Sequence, residues 1–197
     1  MGSDTRLVRR LNTGRLQLVP VDARNARELW KLLNAPDLRK FQDIPRISAE
    51  EFERQVRSRP RAFDGRSTGR FEWVMHAGNP SAPVGWISLR VNDRTPSVGE
   101  IGYSLIEEAR GRGFATEALG AVVAEAFAEG ELDEMQACCV PENTPSRSVL
   151  TRVGFREERT IRGGAVIRGR HVDVVLYRLH QAEWRRRAAP ARRQMQS

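Results

Sequence analysis

The chain has 197 residues, of which 40% are hydrophobic and 29% charged, and its formal net charge is +8 at pH 7. This composition is typical of a globular protein with a buried core, and no apolar stretch reaches the length of a membrane-spanning helix. Two adjacent cysteines, Cys138 and Cys139, exclude a disulfide scaffold and a cysteine-rich zinc site. The first ten residues lack a signal peptide's apolar segment, so we expect a cytoplasmic protein with no membrane partner.

The first third of the chain predicts one strand and two helices. Residues 15–21 alternate polar and apolar side chains, as a strand does. Asp22 is expected to cap a helix that ends near Leu33. Ser48 opens a capping box that predicts a second helix to about Arg57. The Gly-, Pro- and Arg-rich residues 58–70 predict a loop.

From residue 71 onward the period of the apolar residues changes, first to that of strands and then to that of helices. Thr144 followed by Pro145 resembles an N-cap with proline in the first turn, and Gly154 is a helix stop. The two cysteines are expected to be small buried side chains on a strand. The predicted elements are strands at 71–77, 84–92 and 98–106, a helix at 113–129, a strand at 134–140, a helix at 144–154, and strands at 155–161 and 171–180.

The element order predicts one mixed α/β domain at residues 13–184, after an N-terminal extension at 1–12. Residues 185–197 hold five arginines and no acidic residue, which predicts a basic, disordered tail. Such a tail allows a weak contact with RNA or the ribosome. The sequence leaves the oligomeric state open between a monomer and a homodimer.

A glycine-rich turn at residues 110–115, Arg-Gly-Arg-Gly-Phe-Ala, lies between a predicted strand and a long helix. Glycines let a ligand approach the backbone closely, and a helix N-terminus offers unpaired N–H groups and a positive dipole end. These features favour a cradle for a pyrophosphate group. The turn lacks the Gly-Lys-Ser/Thr of a Walker loop, and Thr116 stands where a dinucleotide fingerprint has its third glycine.

Four segments around this turn resemble the GNAT acetyltransferase superfamily, and within it the RimJ/RimL branch of ribosomal-protein N-terminal acetyltransferases. The family's Arg/Gln-x-x-Gly-x-Gly/Ala signature is matched by Arg110, Gly113 and Ala115. The resemblance implies the GNAT fold: a central, mixed, mostly antiparallel sheet, flanked by helices and splayed between its fourth and fifth strands (98–106 and 134–140). The four segments are 99–103 (GEIGY), 110–118 (RGRGFATEA), 141–146 (PENTPS) and 153–158 (VGFREE).

The resemblance further implies that acetyl-CoA is the donor, that a primary amine is the acceptor, and that the amine attacks directly without a covalent enzyme intermediate. No metal is expected, because His76, His171 and His180 lack ligand spacing. Backbone N–H groups of the fourth strand would hold the pantetheine arm and polarise the thioester carbonyl. The residues expected to bind acetyl-CoA are Ile101, Tyr103, Ser104, Leu105, Arg110, Gly111, Arg112, Gly113, Phe114, Ala115, Thr116, Asn143, Ser146 and Arg147.

Two residues are the candidates for catalysis. Glu100 is a carboxylate on an otherwise apolar strand, placed either to take a proton from the incoming ammonium or only to bind its charge. The resemblance places Ser146 near the sulfur, where it would protonate the departing thiolate, although Ser146 and Asn143 are also suited to helix capping. Tyr103 is expected in the core. Glu117, in the first turn of its helix, is expected to interact favourably with the positive end of the helix dipole.

The acceptor is the least defined part of the prediction. The α-amine of a protein or peptide is the first hypothesis, and a small amine such as an antibiotic or polyamine is the second. A non-catalytic module that binds CoA or RNA is the alternative from another class. Acceptor recognition is expected from the helices at 22–57, the loop at 58–70 and a turn at 162–164, with Phe63, Phe41 and Trp73 shaping an amine pocket.

Overall fold

The computed structural model describes residues 8–36, 38, 46–65, 67–78 and 81–193, with only the backbone described from residue 188. In chain order the elements are β1 (Leu11–Asn12), β2 (Leu16–Pro20), α1 (Ala26–Leu33), α2 (Ala49–Arg57), β3 (Gly69–Ala77), β4 (Ala82–Asn92), β5 (Thr95–Leu105), a 3-10 turn (Glu107–Ala109), α3 (Phe114–Ala128), β6 (Glu134–Cys139), α4 (Thr144–Val153), β7 (Arg156–Ile167), β8 (Arg170–His180) and α5 (Gln181–Arg193).

The strands of the described residues form one sheet in the order β1-β2-β3-β4-β5-β6-β8-β7. Every neighbouring pair is antiparallel except β5 and β6, which are parallel. That parallel pair is short, because it joins only Val98 to Glu134, Gly99 to Met135, and Glu100 to Gln136. Beyond Glu100 the two strands diverge. The predicted fold, with its splay between these two strands, is confirmed.

Helices cover both faces of the sheet and leave this divergence between them. On one face α3 buries Leu119, Val122 and Val123 completely, within a cluster that also holds Ile101. On the other face α1 and α2 pack over a smaller cluster around Trp86. Each fully buried aliphatic side chain contributes roughly 1.5–3 kcal/mol to folding, and the larger cluster holds β5 against α3 through Ile101 and Leu105.

The predicted start of α1 is wrong, whereas the predicted start of α2 is confirmed. The helix begins at Ala26 rather than after Asp22, because Asp22 forms a turn instead. The Asp22 carboxylate accepts from the Arg24 N–H at 2.7 Å, and the Asn25 side chain accepts from the Asp22 N–H at 2.8 Å. Ser48 caps α2 by accepting from the Glu51 N–H at 3.2 Å.

The turn predicted at residues 162–164 is also wrong, because these residues lie inside β7. The register with β8 shifts between Ile161 and Ala165, so the two glycines form an irregularity in the strand rather than its end. The chain reverses at Arg168–Gly169, where φ is +52° and +75°. Two consecutive positive φ values match the twist of a hairpin.

The N-terminal extension contacts the domain, and the C-terminal tail is more ordered than the sequence predicts. Arg9, within the predicted extension, pairs with Glu125 of α3 at 2.7 Å, and Trp73 Nε1 donates to the Arg9 carbonyl at 3.0 Å. The tail predicted to be disordered from residue 185 is helical to Arg193, because arginine and alanine favour helices. No helix of the described residues is long and apolar enough to cross a membrane.

Candidate active site

The divergence of β5 and β6 leaves part of the β5 backbone without a neighbouring strand. Alternate residues of a strand direct their N–H and C=O groups to opposite neighbours. The Ser97 carbonyl accepts from the Asp133 N–H on the β6 side at 2.9 Å, and the Ile106 N–H donates to Val84 on the β4 side at 3.0 Å. The odd-numbered residues of β5 therefore face β6.

This alternation sorts the residues of β5 that were predicted to bind the donor. Ile101, Tyr103 and Leu105 direct their backbone groups into the gap, where no β6 residue is paired with them. Ser104 lies opposite Trp86 and directs its backbone groups to β4 instead. The gap therefore presents a row of N–H and C=O groups at every second residue, and the backbone of Ser104 is not among them.

The glycine-rich turn leads from the end of β5 into α3. Gly111 and Gly113 have φ values of +72° and +81°, which L side chains rarely adopt. Gly113 is the N-cap of α3 and offers no side chain to the first N–H groups of the helix. Close by, the Thr116 hydroxyl is buried and has no hydrogen-bond partner within the described structure. Unpaired donors at a helix N-terminus fit a phosphate group.

The side chains of this turn mainly stabilise its conformation rather than present positive charge to a ligand. Arg110, predicted to face the phosphates, donates from Nε to the Leu105 carbonyl at 3.2 Å and so fixes the end of β5. Phe114 and Ala115 are buried in the core and leave only their backbone to a ligand. The Arg112 guanidinium is exposed and lies 4.9 Å from the centre of the Phe114 ring.

Arg15 holds the turn from outside, and sequence reasoning missed it. Its guanidinium donates to the Arg112 carbonyl at 2.8 Å and pairs with Glu117 at 2.6 Å. Glu117 also accepts from the Thr13 hydroxyl and is thus more than the dipole partner predicted. Burial raises the pKa of Glu117, but the hydrogen bonds from Thr13 and Arg15 outweigh burial and lower that pKa overall. No motif marks Arg15, since its partners lie about 100 residues away.

Across the gap from the turn, Tyr103 meets the start of α4. Its hydroxyl lies 3.0 Å from the Ser146 hydroxyl and 3.2 Å from the Ser146 carbonyl. Burial raises the pKa of Tyr103 well above its usual value, so the phenol stays protonated at neutral pH. The predicted core position of Tyr103 is correct for the ring, which packs against the larger cluster, while the hydroxyl forms a polar pair with Ser146.

The N-cap of α4 is Asn143, which corrects the prediction of Thr144. The Asn143 side chain accepts from the Ser146 N–H at 3.3 Å, and Thr144 is the first helical residue. Asparagine at this position satisfies a donor that would otherwise be unpaired. The capping role of Asn143 is therefore observed, whereas its binding of the donor remains a prediction.

We expect Asn143→Ala to lower the free energy of unfolding by about 1 kcal/mol, because it removes this cap. Urea unfolding followed by circular dichroism measures the change. Thr144→Ala is the matched control. Among the described residues the Thr144 hydroxyl donates only to the Glu142 carbonyl, at 3.4 Å, so its loss is expected to cost less. A larger loss for Thr144→Ala than for Asn143→Ala would contradict the observed cap.

The Arg147 side chain forms its hydrogen bonds with residues outside the gap between β5 and β6. It donates to the Tyr177 hydroxyl at 2.9 Å, to the Pro141 carbonyl at 3.3 Å and to Glu157 at 3.0 Å. These contacts join α4 to β7 and β8. The prediction that Arg147 binds the donor has no direct support in its contacts.

The two cysteines differ, and the prediction that both are buried is wrong for Cys138. Cys139 is buried, and burial raises its pKa to about 11. Cys138 is exposed because its side chain lies on the opposite face of β6 from Cys139, although β8 still pairs with it at Leu176. No group of three or more His, Cys, Asp or Glu among the described residues is arranged to hold a metal ion.

Glu100 lies at the last residue pair before the strands diverge, and its side chain is exposed. Its cross-strand neighbour is Arg90, and Arg70 lies beyond Arg90 on β3. Burial and the charge of Arg90 lower the pKa of Arg70, whereas the Glu100 carboxylate raises it. A carboxylate at this position can reach a molecule that enters the gap from the face covered by α1 and α2.

The aromatic amine pocket predicted from the sequence is not present in the described structure. Phe63 and Trp73 are 2% and 1% exposed and belong to the core behind the sheet. Phe41 lies outside the described residues. The two aromatic residues that are described serve packing.

Comparisons with known proteins agree on the family and on the fold. The family model of the acetyltransferase (GNAT) domain matches residues 15–156. A Bacillus subtilis (strain 168) protein, provisionally named ribosomal N-acetyltransferase YdaF, is 39% identical over 100 residues, an alignment that covers 51% of this chain and 55% of YdaF. The chain thus spans about half the length of this relative.

Two solved structures show the same fold. One is RimL, a ribosomal L7/L12 α-N-protein acetyltransferase, in complex with coenzyme A. It is 21% identical to this chain with a TM-score of 0.74, and the alignment covers 87% of this chain and 98% of RimL. The other is a chimera of the spermidine N-acetyltransferase SpeG from Vibrio cholerae and hSSAT. It is 19% identical to this chain with a TM-score of 0.74, and the alignment covers 87% of this chain and 98% of the chimera. Identities this low establish the architecture alone.

Proposed function

The chain belongs to the GNAT family and is an N-acetyltransferase, and from this premise we propose that it acetylates the N-terminal α-amine of a protein or peptide with acetyl-CoA as donor. GNAT acetyltransferases use acetyl-CoA. The observation that carries the proposal is the open β5 edge that ends in a turn of bare backbone N–H groups. It matches a long donor with a diphosphate at one end and a thioester at the other.

The donor would lie along the gap. The backbone N–H groups from Arg112 to Thr116 would hold the pyrophosphate, and the buried Thr116 hydroxyl would gain the partner that it lacks. The pantetheine amides would pair with Ile101 and Tyr103 as an added strand does. This arrangement places the thioester near Glu100 on one side and near Ser146 on the other. RimL, which shares the fold, was solved with coenzyme A bound.

The reaction needs a base, an oxyanion contact and an acid, and the site offers one of each. Glu100 takes the proton that the attacking ammonium must lose. A backbone N–H of β5 polarises the thioester carbonyl, a contribution of about 3 kcal/mol. As the carbon–sulfur bond breaks, the Ser146 hydroxyl gives its proton to the departing sulfur and receives another from the Tyr103 hydroxyl, 3.0 Å away, which regains its own proton from solvent as the products leave.

The charges around Glu100 favour a peptide over a polyamine. Arg90 lies directly opposite it on β4, and a polycation would be repelled by this arginine. The acidic residues of the nearby helix α2 are already engaged, because Glu53 pairs with Arg27, and Glu51 pairs with Arg54. The names of YdaF and RimL also refer to ribosomal substrates.

The experiment that tests this proposal is a comparison of acceptors. Purified protein is incubated with acetyl-CoA and either free-amine peptides, the same peptides with blocked α-amines, or spermidine. Thiol release gives the rate, and mass spectrometry locates the acetyl group. We expect acetylation at the α-amine of the free peptides only. Faster acetylation of spermidine than of any peptide would overturn the proposed acceptor but not the acetyl transfer.

We expect Tyr103→Phe to lower kcat about 10- to 100-fold, within the range for loss of a general acid or its relay. The affinity for CoA should change less than twofold, because the backbone of the residue is retained. Tyr177→Phe is the matched control. It too removes a tyrosine hydroxyl, but this hydroxyl contacts Arg147, and Tyr177 lies outside the gap. Equal kcat values for both variants would exclude Tyr103 from proton transfer.

A further inference from the structure

A cavity of about 460 Å³ lies between the end of β2, the residues that follow α2 and the start of β3. Five arginines and two carboxylates line it, so positive charge exceeds negative charge by three. The charged lining residues are Arg10, Arg24, Arg59, Arg61, Arg70, Asp22 and Glu72. Nothing in the reaction described above uses this cavity.

The two carboxylates of the cavity are already committed to arginines. Glu72 is almost completely buried and pairs with Arg59 and also with Arg70, the latter at 2.9 Å. Asp22 pairs with Arg24 at 2.6 Å. No carboxylate remains in the lining to balance the other positive charges, and an entering anion would supply that balance.

Arg10 and Arg61 are the lining arginines without a direct carboxylate partner among the described residues. The pKa of Asp22 is lowered mainly by its hydrogen bond with Arg24, and to a smaller extent by the charge of Arg61. Arg10 contacts only the Gln17 side chain, at 3.4 Å, and neither arginine forms an ion pair with a carboxylate in the part of the chain that the structure describes. Burial and the charge of Arg70 lower the pKa of Arg59 to about 10, so the cavity already holds cations close together. Such a site attracts a carboxylate more strongly than a lone surface arginine does.

The cavity lies at a defined distance from the reacting end of the proposed acceptor. Arg70, Arg90 and Glu100 are directly opposite one another on three adjacent strands and project from the same face. Strands lie about 4.8 Å apart, which puts the backbone of Arg70 about 10 Å from that of Glu100. Arg90, between them, is exposed and has no ion pair among the described residues.

We infer that this cavity, with Arg90 on the path to it, binds an acidic side chain of the acceptor peptide and so selects peptides with Asp or Glu at position 3 or 4. The inference rests on the proposed function. An extended chain advances about 3.3 Å per residue, so about 10 Å corresponds to three residues beyond the α-amine. A basic or uncharged peptide would leave the arginines unpaired.

The test is a position scan with peptides of one neutral sequence. A single Asp replaces Asn at position 2, 3, 4 or 6, and kcat/KM is measured for each peptide. We expect kcat/KM to rise about 10-fold for Asp at position 3 or 4, as one charge-assisted contact allows. The rise should diminish as salt is added, because part of the site is exposed.

Variants assign the preference to the cavity. Arg61→Gln should remove most of the preference for Asp while changing the rate with the all-Asn peptide less than twofold, and Arg90→Gln should lower the preference as well. Arg152→Gln, which removes an exposed arginine from the end of α4, is the matched control and should keep the preference.

Three outcomes would overturn the inference. Equal rates for Asp and Asn peptides, with acetylation intact, remove the inference and leave the proposed function. A preference that survives both arginine variants places the acidic contact elsewhere. Acetylation of small amines but of no peptide removes the proposed acceptor and the inference together.

Discussion

Gly113→Glu is expected to reduce the affinity for CoA at least 100-fold, which is about 2.7 kcal/mol of binding free energy. Gly113 has a φ of +81°, and its Cβ would lie 3.2 Å from the Arg15 guanidinium, so any side chain here disturbs the turn. The new carboxylate would also repel the diphosphate at the start of α3. Isothermal titration calorimetry with CoA measures the effect.

Two further variants separate charge from strain. Gly120→Glu adds the same carboxylate to the same helix, where a Cβ would meet nothing within 4 Å, and should bind CoA normally. Asparagine tolerates a positive φ better than other side chains do, and it adds no charge. Gly113→Asn should therefore lose less affinity for CoA than Gly113→Glu. Normal CoA binding by Gly113→Glu would show that the diphosphate is not held at this turn.

Glu100→Gln is expected to lower kcat about 100-fold with little change in CoA affinity, because the amide cannot accept the ammonium proton. The α-amine of a peptide has a pKa of about 8 in solution. The variant should therefore regain rate as the pH rises above that value and the amine loses its proton to water. Stopped-flow thiol release across this pH range measures the recovery.

The same experiment separates the two roles proposed for Glu100. A residue that only binds the ammonium charge would, when changed to Gln, raise KM for the amine and leave kcat nearly constant. Glu108→Gln is the matched control, since Glu108 is exposed in the 3-10 turn after β5 and should behave as the unchanged enzyme. An unchanged kcat at every pH for Glu100→Gln would remove the residue from proton transfer.

The parts of the fold that were predictable from sequence are those encoded by local patterns. Strand alternation and helical spacing predicted the ends of five elements to within two residues. These elements are β2, β3, β4, β6 and α3. The glycine-rich turn was predictable because positive φ values demand glycine at Gly111 and Gly113. The gap was predicted from the resemblance of four segments to a family, not from periodicity.

What the sequence could not show depends on contacts between distant segments. Arg15 and Glu117 hold the turn together across a separation of 102 residues, and no local pattern links them. Tyr103 alternates with apolar neighbours, so its spacing indicates a core residue and conceals its contact with Ser146. Alternation places Cys138 and Cys139 on opposite faces of β6, but which of these faces is covered depends on how distant elements pack over the sheet.

The most direct test of the account is a crystal structure of the protein grown with acetyl-CoA. We expect the diphosphate to accept hydrogen bonds from the backbone N–H groups between Arg112 and Thr116, and the pantetheine arm to lie between β5 and β6. The thioester should then lie between Glu100 and Ser146. A nucleotide bound outside this turn, or β5 and β6 paired along their whole length, would contradict the central claim.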